Sequence, residues 1–178
     1  MNSLFLNDTT PKIILTERLI LIAFTKEICH EILENNFDSL NRLGIKKGLN
    51  WPDADMIENL PRIIKNLSKV ISNTGFESWM IVKKETNEII GDVGFKGLNT
   101  ITNTCDIGYG IIQSERRNGF AEEACRALIN WATTQDHEIN ITASTSLTNV
   151  GSIKLLEKIS FIEYERDEEF IYWKLNVL

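Results

Sequence analysis

The most informative part of the sequence is the stretch Asp106-Ile-Gly-Tyr-Gly-Ile-Ile-Gln-Ser-Glu-Arg-Arg-Asn-Gly-Phe-Ala-Glu-Glu-Ala124. A β-strand ends here, a short loop rich in arginine, asparagine and glycine follows, and a helix begins at Gly119. The first-turn amides of a helix have no acceptors within the helix, and the helix dipole makes them electropositive. Gly119 and the small Ala121 let an anion approach the backbone, while Arg116 and Arg117 add positive charge. The stretch therefore predicts a site for a phosphate or pyrophosphate group.

This stretch has neither of the two common nucleotide-binding patterns. A Walker loop requires Gly-x-x-x-x-Gly-Lys-Ser/Thr, and no such run occurs in the sequence. The dinucleotide pattern requires three spaced glycines after the first strand of a β-α-β unit, which Gly108, Gly110 and Gly119 do not provide. Taken alone, the segment fits an ordinary helix start with two surface arginines as well as it fits an anion site.

Hydrophobic periodicity outside this stretch predicts the order β-α-α-β-β-β-α-β-α-β-β, with a short helical piece at 39–43. Pro61 lies inside the longest helical pattern, so that this helix either bends or consists of two abutting helices. The predicted strands are 13–24, 76–84, 88–98, 102–112, 139–144, 161–165 and 170–177, and the predicted helices are 26–35, 53–71, 119–134 and 148–159.

These elements predict an α+β fold. Short polar connections separate the strands 76–84, 88–98 and 102–112, which is typical of an antiparallel meander. The later strands alternate with helices, so the central sheet is expected to be mostly antiparallel at first and mixed later, with helices flanking it.

Composition limits the classes of function. The chain has 178 residues and a formal charge of −6, which suits one domain over residues 1–178 with its core at 13–175. An acidic balance argues against binding to nucleic acid or anionic membranes. No apolar run reaches the roughly 18–20 residues of a membrane span, and Met1–Asp8 lacks the features of a secretory signal.

Cysteine and histidine usage predicts neither a disulfide framework nor a metal site. The three cysteines, Cys29, Cys105 and Cys125, are widely scattered and are interpreted as buried thiols. The two histidines, His30 and His137, have no metal-ligand spacing. A reduced, cytoplasmic protein is therefore expected.

Several motifs in the correct order resemble one known superfamily. The segment Arg116-Arg-Asn-Gly-Phe-Ala121 resembles the Gln/Arg-x-x-Gly-x-Gly/Ala acyl-CoA signature of the GNAT N-acetyltransferases. Asp106-Ile-Gly-Tyr109, Asn149-Val-Gly-Ser-Ile-Lys-Leu-Leu-Glu-Lys-Ile-Ser-Phe161 and the opening Thr16-Glu-Arg-Leu-Ile-Leu21 resemble its ribosomal-protein N-terminal acetyltransferase branch, the RimJ/RimL type. The resemblance covers about residues 13–175 and implies the GNAT fold.

This resemblance implies that the chain uses acetyl-CoA. The strand Tyr109-Gly110-Ile111 would separate from its parallel neighbour near Ala143-Ser144 and pair with the pantetheine arm. Gly108 and Gly110 would form a bulge that opens this gap. The pyrophosphate would be held by the backbone amides of Arg116, Arg117, Asn118, Gly119, Phe120 and Ala121.

Aminolysis of a thioester also requires a neutral amine, a donor to the oxyanion and a proton for the leaving thiolate. By resemblance, Asp106 stands where the family commonly has a glutamate base, and its shorter side chain favours a water relay. Ser152 matches the serine proposed to help protonate the sulfur, and Leu156 stands where many members have a tyrosine. A main-chain amide at Gly110 or Ile111 is the candidate oxyanion donor.

Two further assignments follow from the resemblance. Asn149 matches an asparagine that contacts the pantetheine region, although Thr148 and Asn149 could also cap the helix. Ser160 replaces a glycine that the family usually has at this helix end. Trp51 is interpreted as a core or rim aromatic, or as a lining residue of the acceptor groove.

By analogy with the ribosomal-protein branch, the preferred acceptor is the α-amine of a protein N-terminus. Such an amine has a pKa of about 7.7–8.0 and needs less help than lysine to become neutral. The alternatives are a small-molecule amine such as a polyamine, amino sugar or amino acid, or a non-catalytic acyl-CoA-binding module. The chain is expected to be a monomer or homodimer, without a bound metal.

Overall fold

The computed structural model describes residues 11–176, so the N-terminal segment Met1–Asp8 and the end of the last predicted strand at Val177 lie outside the described residues. The strands are β1 (Ile13–Leu15), β2 (Leu19–Ala23), β3 (Ser78–Lys83), β4 (Glu88–Asn99), β5 (Thr104–Ile111), β6 (Asn140–Ser146), β7 (Phe161–Arg166) and β8 (Phe170–Leu175). The helices are α1 (Lys26–Leu33), α2 (Asp38–Arg42), α3 (Ala54–Leu67), α4 (Phe120–Gln135) and α5 (Val150–Lys158).

The strands form one mixed sheet in the order β1-β2-β3-β4-β5-β6-β8-β7. The run β2-β3-β4-β5 is antiparallel, which confirms the predicted meander. Only β5 and β6 pair in parallel among these strands, and β7 and β8 form the predicted closing hairpin. The α+β class is therefore confirmed.

The prediction of one strand over residues 13–24 is wrong. The segment folds back on itself, and β1 pairs with β2 in an antiparallel hairpin that places Ile13 opposite Ile22. A tight turn at Thr16 reverses the chain, because the Thr16 amide donates to the Leu19 carbonyl and the Leu19 amide donates to Thr16 Oγ1. The polar Thr-Glu-Arg run thus interrupts an apolar pattern that otherwise resembles a single strand.

Helix α3 is one continuous helix with Pro61 inside it, so the two-helix alternative is wrong. The helix begins at the N-cap Asp53, whose side chain accepts from the Met56 amide, and ends at Leu67 rather than at Ile71. Ile71 is fully exposed, so the apolar pattern extends one turn beyond the real helix. The Ser68 hydroxyl donates to the Ile64 carbonyl and satisfies an acceptor of the last turn.

The helices cover both faces of the sheet. Helix α3 packs on β4 and on α1, whereas α4 packs across β2, β4 and β5. Adjacent side chains of a strand point to opposite faces, and Gly110 lines the space beneath α3, while the Tyr109 hydroxyl reaches the start of α5. Strand β5 therefore has one face toward α3 and the other toward α4 and α5.

Ser160, directly after α5, has a left-handed backbone with φ 72°. Glycine adopts this conformation without the steric cost that a Cβ imposes. We expect Ser160→Gly to raise the free energy of unfolding by about 0.5–1 kcal/mol, measured by urea denaturation.

The matched control is Ser68→Gly, because Ser68 ends α3 with a right-handed φ of −81°. This second substitution is expected to destabilise the protein, since it removes a hydrogen bond and adds backbone freedom. An equal effect of the two substitutions would contradict the explanation.

Candidate active site

Strands β5 and β6 stay together over only three residue pairs. The pairing runs from Thr104 with Asn140 to Asp106 with Thr142 and then stops, although both strands continue. The gap between them is the separation that the sequence resemblance placed near Tyr109-Gly110-Ile111 and Ala143-Ser144. A strand edge without a partner presents backbone donors and acceptors to a ligand.

The direction of the backbone groups of β5 follows from its other neighbour. The Ile112 amide donates to the Ile90 carbonyl on the β4 side. Because antiparallel pairing alternates along a strand, Gly110 also directs its backbone groups toward β4, whereas Tyr109 and Ile111 direct theirs toward the gap. Of the two candidate oxyanion donors, the Ile111 amide therefore faces the gap and the Gly110 amide does not.

The predicted bulge at Gly108 and Gly110 is wrong. These glycines pair regularly with Gly94 and Asp92 of β4. The irregularity lies further along, where Phe95 pairs with Ile107 and Leu98 with Cys105. Two residues of β4, Lys96 and Gly97, thus lie opposite the single residue Asp106, and Gly97 has the positive φ of 100° that such bulges favour.

Asp106 lies at the point where β5 and β6 separate. Its carboxylate forms an ion pair with Lys96 from the bulge and accepts a hydrogen bond of 3.2 Å from the Thr142 hydroxyl. The Asp106 side chain retains 28% of its exposure, so solvent reaches it. Sequence analysis identified Asp106 but not Lys96, because the bulge that brings them together depends on the register between the strands.

The loop before α4 has the backbone of an anion site. Arg117 and Gly119 have φ angles of 65° and 80°, which turn the chain sharply into the helix. Within the described part of the chain, the amides of residues 117–122 have no acceptor, and the first helical bond runs from the Glu123 amide to the Gly119 carbonyl. A Cβ on Gly119 would find its nearest neighbour at 3.4 Å, a nitrogen of Arg18.

The two arginines of the loop differ in position. The Arg116 Nε donates to the Ile111 carbonyl at 2.8 Å, so this side chain holds the end of β5. Arg117 is exposed beside the loop amides. Phe120 is buried, and Ala121 is half-buried. The Arg116 guanidinium keeps its charge while it holds Ile111, so both arginines and the backbone amides contribute positive potential at the loop.

An ionic clamp that sequence analysis missed fixes this loop to the rest of the fold. Arg18, in the turn after β1, forms a bond of 2.7 Å from Nε to Glu123 Oε2, and its Nη1 donates to the Asn118 carbonyl. Thr16 also donates to Glu123, and the Arg18 guanidinium stacks 4.6 Å from the centre of the Phe120 ring. Burial opposes the ionisation of Glu123, but these hydrogen bonds outweigh it and lower its pKa. The only sequence signal for the clamp was the Thr-Glu-Arg run itself.

The start of α5 faces the same gap. Asn149 caps the helix by accepting from the Ser152 amide at 3.1 Å, and Ser152 is half-buried in the first turn. The Tyr109 hydroxyl donates to the Ser152 carbonyl at 3.4 Å, which ties α5 to β5. Burial raises the pKa of Tyr109 to about 12, so its hydroxyl stays protonated. Leu156 is fully buried in the core.

The cysteines do not contribute chemistry. All three are buried, and burial raises the pKa of Cys29 and of Cys105 to about 12. The pKa of Cys125 is raised for the same reason. A thiol that stays protonated is a poor nucleophile, so Cys105 is a core thiol beside Asp106. Residues 11–176 contain no group of three or more histidine, cysteine or acidic side chains that could hold a metal ion.

A pocket of about 590 Å³ lies between α3 and the sheet, on the β5 side of the gap. Gly108 and Gly110 form part of its floor, where the absence of side chains keeps the backbone accessible. Trp51 is 2% exposed and lines the pocket, which agrees with both positions considered for it, core and acceptor groove. A second, more open pocket of about 930 Å³ continues past Trp51 and Arg116.

Asp92 projects into the first pocket from β4. Burial raises the pKa of Asp92 to about 7; Asp53 and Asp55 act in the same direction, and Arg62 opposes them. Among residues 11–176, its carboxylate has no hydrogen bond or ion pair. Sequence analysis missed Asp92, since a single aspartate in an apolar strand carries no motif.

The gap between parallel strands, the helix-start loop and the adjoining pocket together fit an acetyltransferase. Residues 18–162 match the acetyltransferase (GNAT) domain, and the chain belongs to this family of N-acetyltransferases. None of the helices in residues 11–176 is long and apolar enough to cross a membrane.

Individual relatives agree with this family. The chain is 34% identical over 158 residues to the uncharacterized N-acetyltransferase YjdG of Bacillus subtilis, covering 89% of this chain and 94% of that protein. It is 26% identical over 107 residues to the ribosomal-protein-serine acetyltransferase of Escherichia coli, covering 57% and 59%. The structure of a putative ribosomal-protein-serine acetyltransferase from Vibrio cholerae superposes with a TM-score of 0.65 at 19% identity, covering 93% and 98% of the chains.

The raised pKa of Asp92 predicts a pH-dependent cost to stability. In the unfolded chain an aspartate has a pKa of about 3.9, so the folded protein binds this proton more tightly and loses stability as pH rises toward about 7. Asp92→Asn removes the charge. We expect the gain in the free energy of unfolding to be about 1–2 kcal/mol larger at pH 8, where Asp92 is ionised in the wild type, than at pH 5, measured by urea denaturation. The difference is held to this range because Asp92 keeps some contact with solvent.

The comparison of the two pH values contains its own control. A gain of equal size at pH 5 and pH 8 would show an effect of packing rather than of ionisation, and a loss of stability at pH 8 would contradict the assignment.

Proposed function

We propose that the protein transfers an acetyl group from acetyl-CoA to the α-amine of a protein N-terminus. The observation that carries this proposal is the continuity of three features along one segment. The unpaired edge of β5 at Tyr109 and Ile111 leads directly into the amide-rich loop at residues 117–122, and the pocket with Asp92 opens beside that edge.

The described residues fit the cofactor. A pyrophosphate needs clustered donors, and the amides of residues 117–122 are without acceptors in the described structure. The amides of Arg116 to Ala121 were predicted to hold this group, and Arg117 adds charge, while the Arg116 side chain is engaged with Ile111. A pantetheine arm needs strand-like partners, which the Tyr109 backbone and the Ile111 amide offer. Asn149 lies at the α5 side of the same gap.

When bound, acetyl-CoA supplies the acetyl group as a thioester. The Ile111 amide would donate to the thioester oxygen, because it faces the gap and has no partner strand. The Ser152 hydroxyl would donate to the leaving sulfur from the opposite wall of the gap. Its position is supported by the Asn149 cap and by the hydrogen bond from Tyr109 to the Ser152 carbonyl.

Asp106 lies four residues from Gly110 along β5, a distance of about 13 Å, so it would accept the proton of the amine through a relay of water molecules. Its exposed fraction of 28% admits water, and Thr142 and Lys96 hold the carboxylate in place. The ion pair with Lys96 occupies one of the Asp106 oxygens, which supports a water relay rather than direct contact with the amine.

We take the first pocket, between α3 and the sheet, as the acceptor pocket, and its charges favour a peptide over a polyamine. Its walls contain the carboxylates Asp53, Asp55, Glu58 and Asp92 but also the cations Arg62, Lys96 and Arg116. A peptide N-terminus combines one ammonium, which the carboxylates attract, with carbonyl oxygens, which the cations attract, whereas a polyamine offers nothing to the cations. The second pocket past Trp51 leaves room for the following residues of a chain.

For the domain extent, compartment, oligomeric state and partners, the proposal keeps what the sequence predicts. We propose one acetyltransferase domain over residues 1–178 that acts in the cytoplasm as a monomer or homodimer, without nucleic-acid or membrane partners. The three free, buried thiols support a reducing compartment, and the formal charge of −6 supports an acceptor that arrives as a cation.

The first test concerns the cofactor loop. Gly119→Asp places a carboxylate beside the free amides and adds a Cβ at a left-handed position, so CoA binding should weaken at least 30-fold in calorimetry. Gly44→Asp is the matched control, because Gly44 has a φ of 72°, open space around its Cβ position and no contact with the loop. Unchanged CoA binding in Gly119→Asp would overturn the proposed cofactor site.

The second test measures turnover. With acetyl-CoA and a serine-initiated peptide, the protein should release free CoA, and the same peptide with a blocked N-terminus should be inert. Asp106→Asn and Ser152→Ala should each lower kcat by about 10- to 100-fold, because each removes a proton-transfer group, while CoA affinity changes less than threefold.

An amine panel separates the alternatives. Release of CoA with polyamines, amino sugars or amino acids but not with peptides would show that the acceptor is a small molecule. Tight binding of acetyl-CoA without turnover on any amine would identify a non-catalytic binding module.

A further inference from the structure

Most of the charged groups near the acceptor pocket already have partners. Asp106 is paired with Lys96, the Asp53 side chain caps α3, and the Arg116 side chain bonds to the Ile111 carbonyl. Arg62 donates to the side chain of Asn59. Asp92 is half-buried on the pocket floor and has no hydrogen bond or ion pair within residues 11–176.

We propose that Asp92 is the residue that recognises the acceptor, by binding its ammonium group directly at the pocket floor. This inference rests on the proposed acetyltransferase function and adds the residue that selects a cationic acceptor. Asp92 is thereby a binding residue, distinct from the Asp106 water site at the other end of the strand pair.

The first argument is position. Asp92 pairs with Gly110 across β4 and β5, and a Cβ built on Gly110 would lie 3.3 Å from Asp92 Oδ1. The carboxylate therefore lies against the β5 backbone one residue from Ile111, whose amide faces the gap. An ammonium bound to Asp92 would lie next to the place where the proposed acyl donor enters.

The second argument is the bare floor around the carboxylate. A Cβ on Gly108 would meet no atom within 4 Å, so open space extends along β5 from Asp92 toward Asp106. Gly94, Gly108 and Gly110 all line this pocket without side chains. A pocket of about 590 Å³ with such a floor admits a ligand chain to the carboxylate.

The third argument is the electrostatic state of Asp92. The charged groups facing it are Asp53, Asp55 and Glu58 with Arg62 from the α3 side, and Lys96 and Arg116 from the sheet and loop. Burial and the neighbouring aspartates raise the pKa of Asp92 to about 7, and Arg62 opposes them only in part, so the ionised form is incompletely compensated in the free protein. An incoming ammonium supplies the missing partner, since an opposite charge at close range favours the ionised carboxylate.

Calorimetry with CoA-saturated protein tests the proposal with two probes, a serine-initiated peptide amide with a free α-amine and the same peptide with an acetylated N-terminus. The wild type should bind the free-amine peptide at least 10-fold more tightly at pH 7.5. Asp92→Asn should abolish this preference by weakening the free-amine peptide at least 10-fold, with less than threefold effect on the acetylated peptide. In turnover, the same variant should raise KM for the peptide at least 10-fold and lower kcat less.

Glu88→Gln is the matched control, because Glu88 lies on the same strand but outside the pocket, and its loss should leave both probes unaffected. Equal weakening of both probes in Asp92→Asn, or no preference for the free amine in the wild type, would overturn the role of Asp92. Tighter wild-type binding of spermidine than of the peptide would overturn the peptide class. Failure of the wild type to turn over any amine would contradict the proposed function, and the two-probe comparison would still decide whether Asp92 binds an ammonium.

Discussion

The early end of the pairing between β5 and β6 is the constraint on which the site depends. Three residue pairs hold the strands together up to Asp106 and Thr142, and beyond them β5 has no partner strand on that side within residues 11–176. Unpaired backbone groups inside a fold are costly, so the structure tolerates this edge where a ligand can satisfy it. Because the strands separate, β5 continues into the loop before α4 without a partner strand on that side. The start of α5 lies across the gap from β5.

Two distant parts of the chain stabilise the groups around this gap. The Thr16-Arg18 turn clamps the loop through Glu123 and Asn118, and the bulge at Lys96 and Gly97 supplies the cation that holds Asp106. The clamp is charge-assisted and partly buried, because the Glu123 side chain is only 17% exposed, so it constrains the loop more than a surface pair would. The conformation of the proposed cofactor loop is therefore set partly from the other end of the sheet.

The sequence predicted those parts of the fold that depend on local patterns. The meander, the closing hairpin and the helices appear because alternating and helical apolar periods persist through them. The predictions failed where a short-range pattern was overridden. One apolar run over residues 13–24 conceals the β1–β2 turn at Thr16, and the apolar spacing after Leu67 continues although Ile71 is exposed. The expected bulge at Gly108 and Gly110 lies instead on β4, since two glycines in one strand do not reveal the register with its neighbour.

The sequence by itself determined the family, the strand-loop-helix whose amides we propose to bind an anion, and the identities of Asp106 and Ser152 as chemical candidates. It could do so because motifs are local and their residues follow one another along the chain. Only the tertiary structure decided which groups meet. It paired Lys96 with Asp106, directed the Ile111 amide rather than that of Gly110 into the gap, and left Asp92 unpaired among the described residues in the pocket between α3 and the sheet. These outcomes depend on strand register and on which side of β5 each backbone group faces, and both are fixed by packing between segments that lie far apart in the sequence.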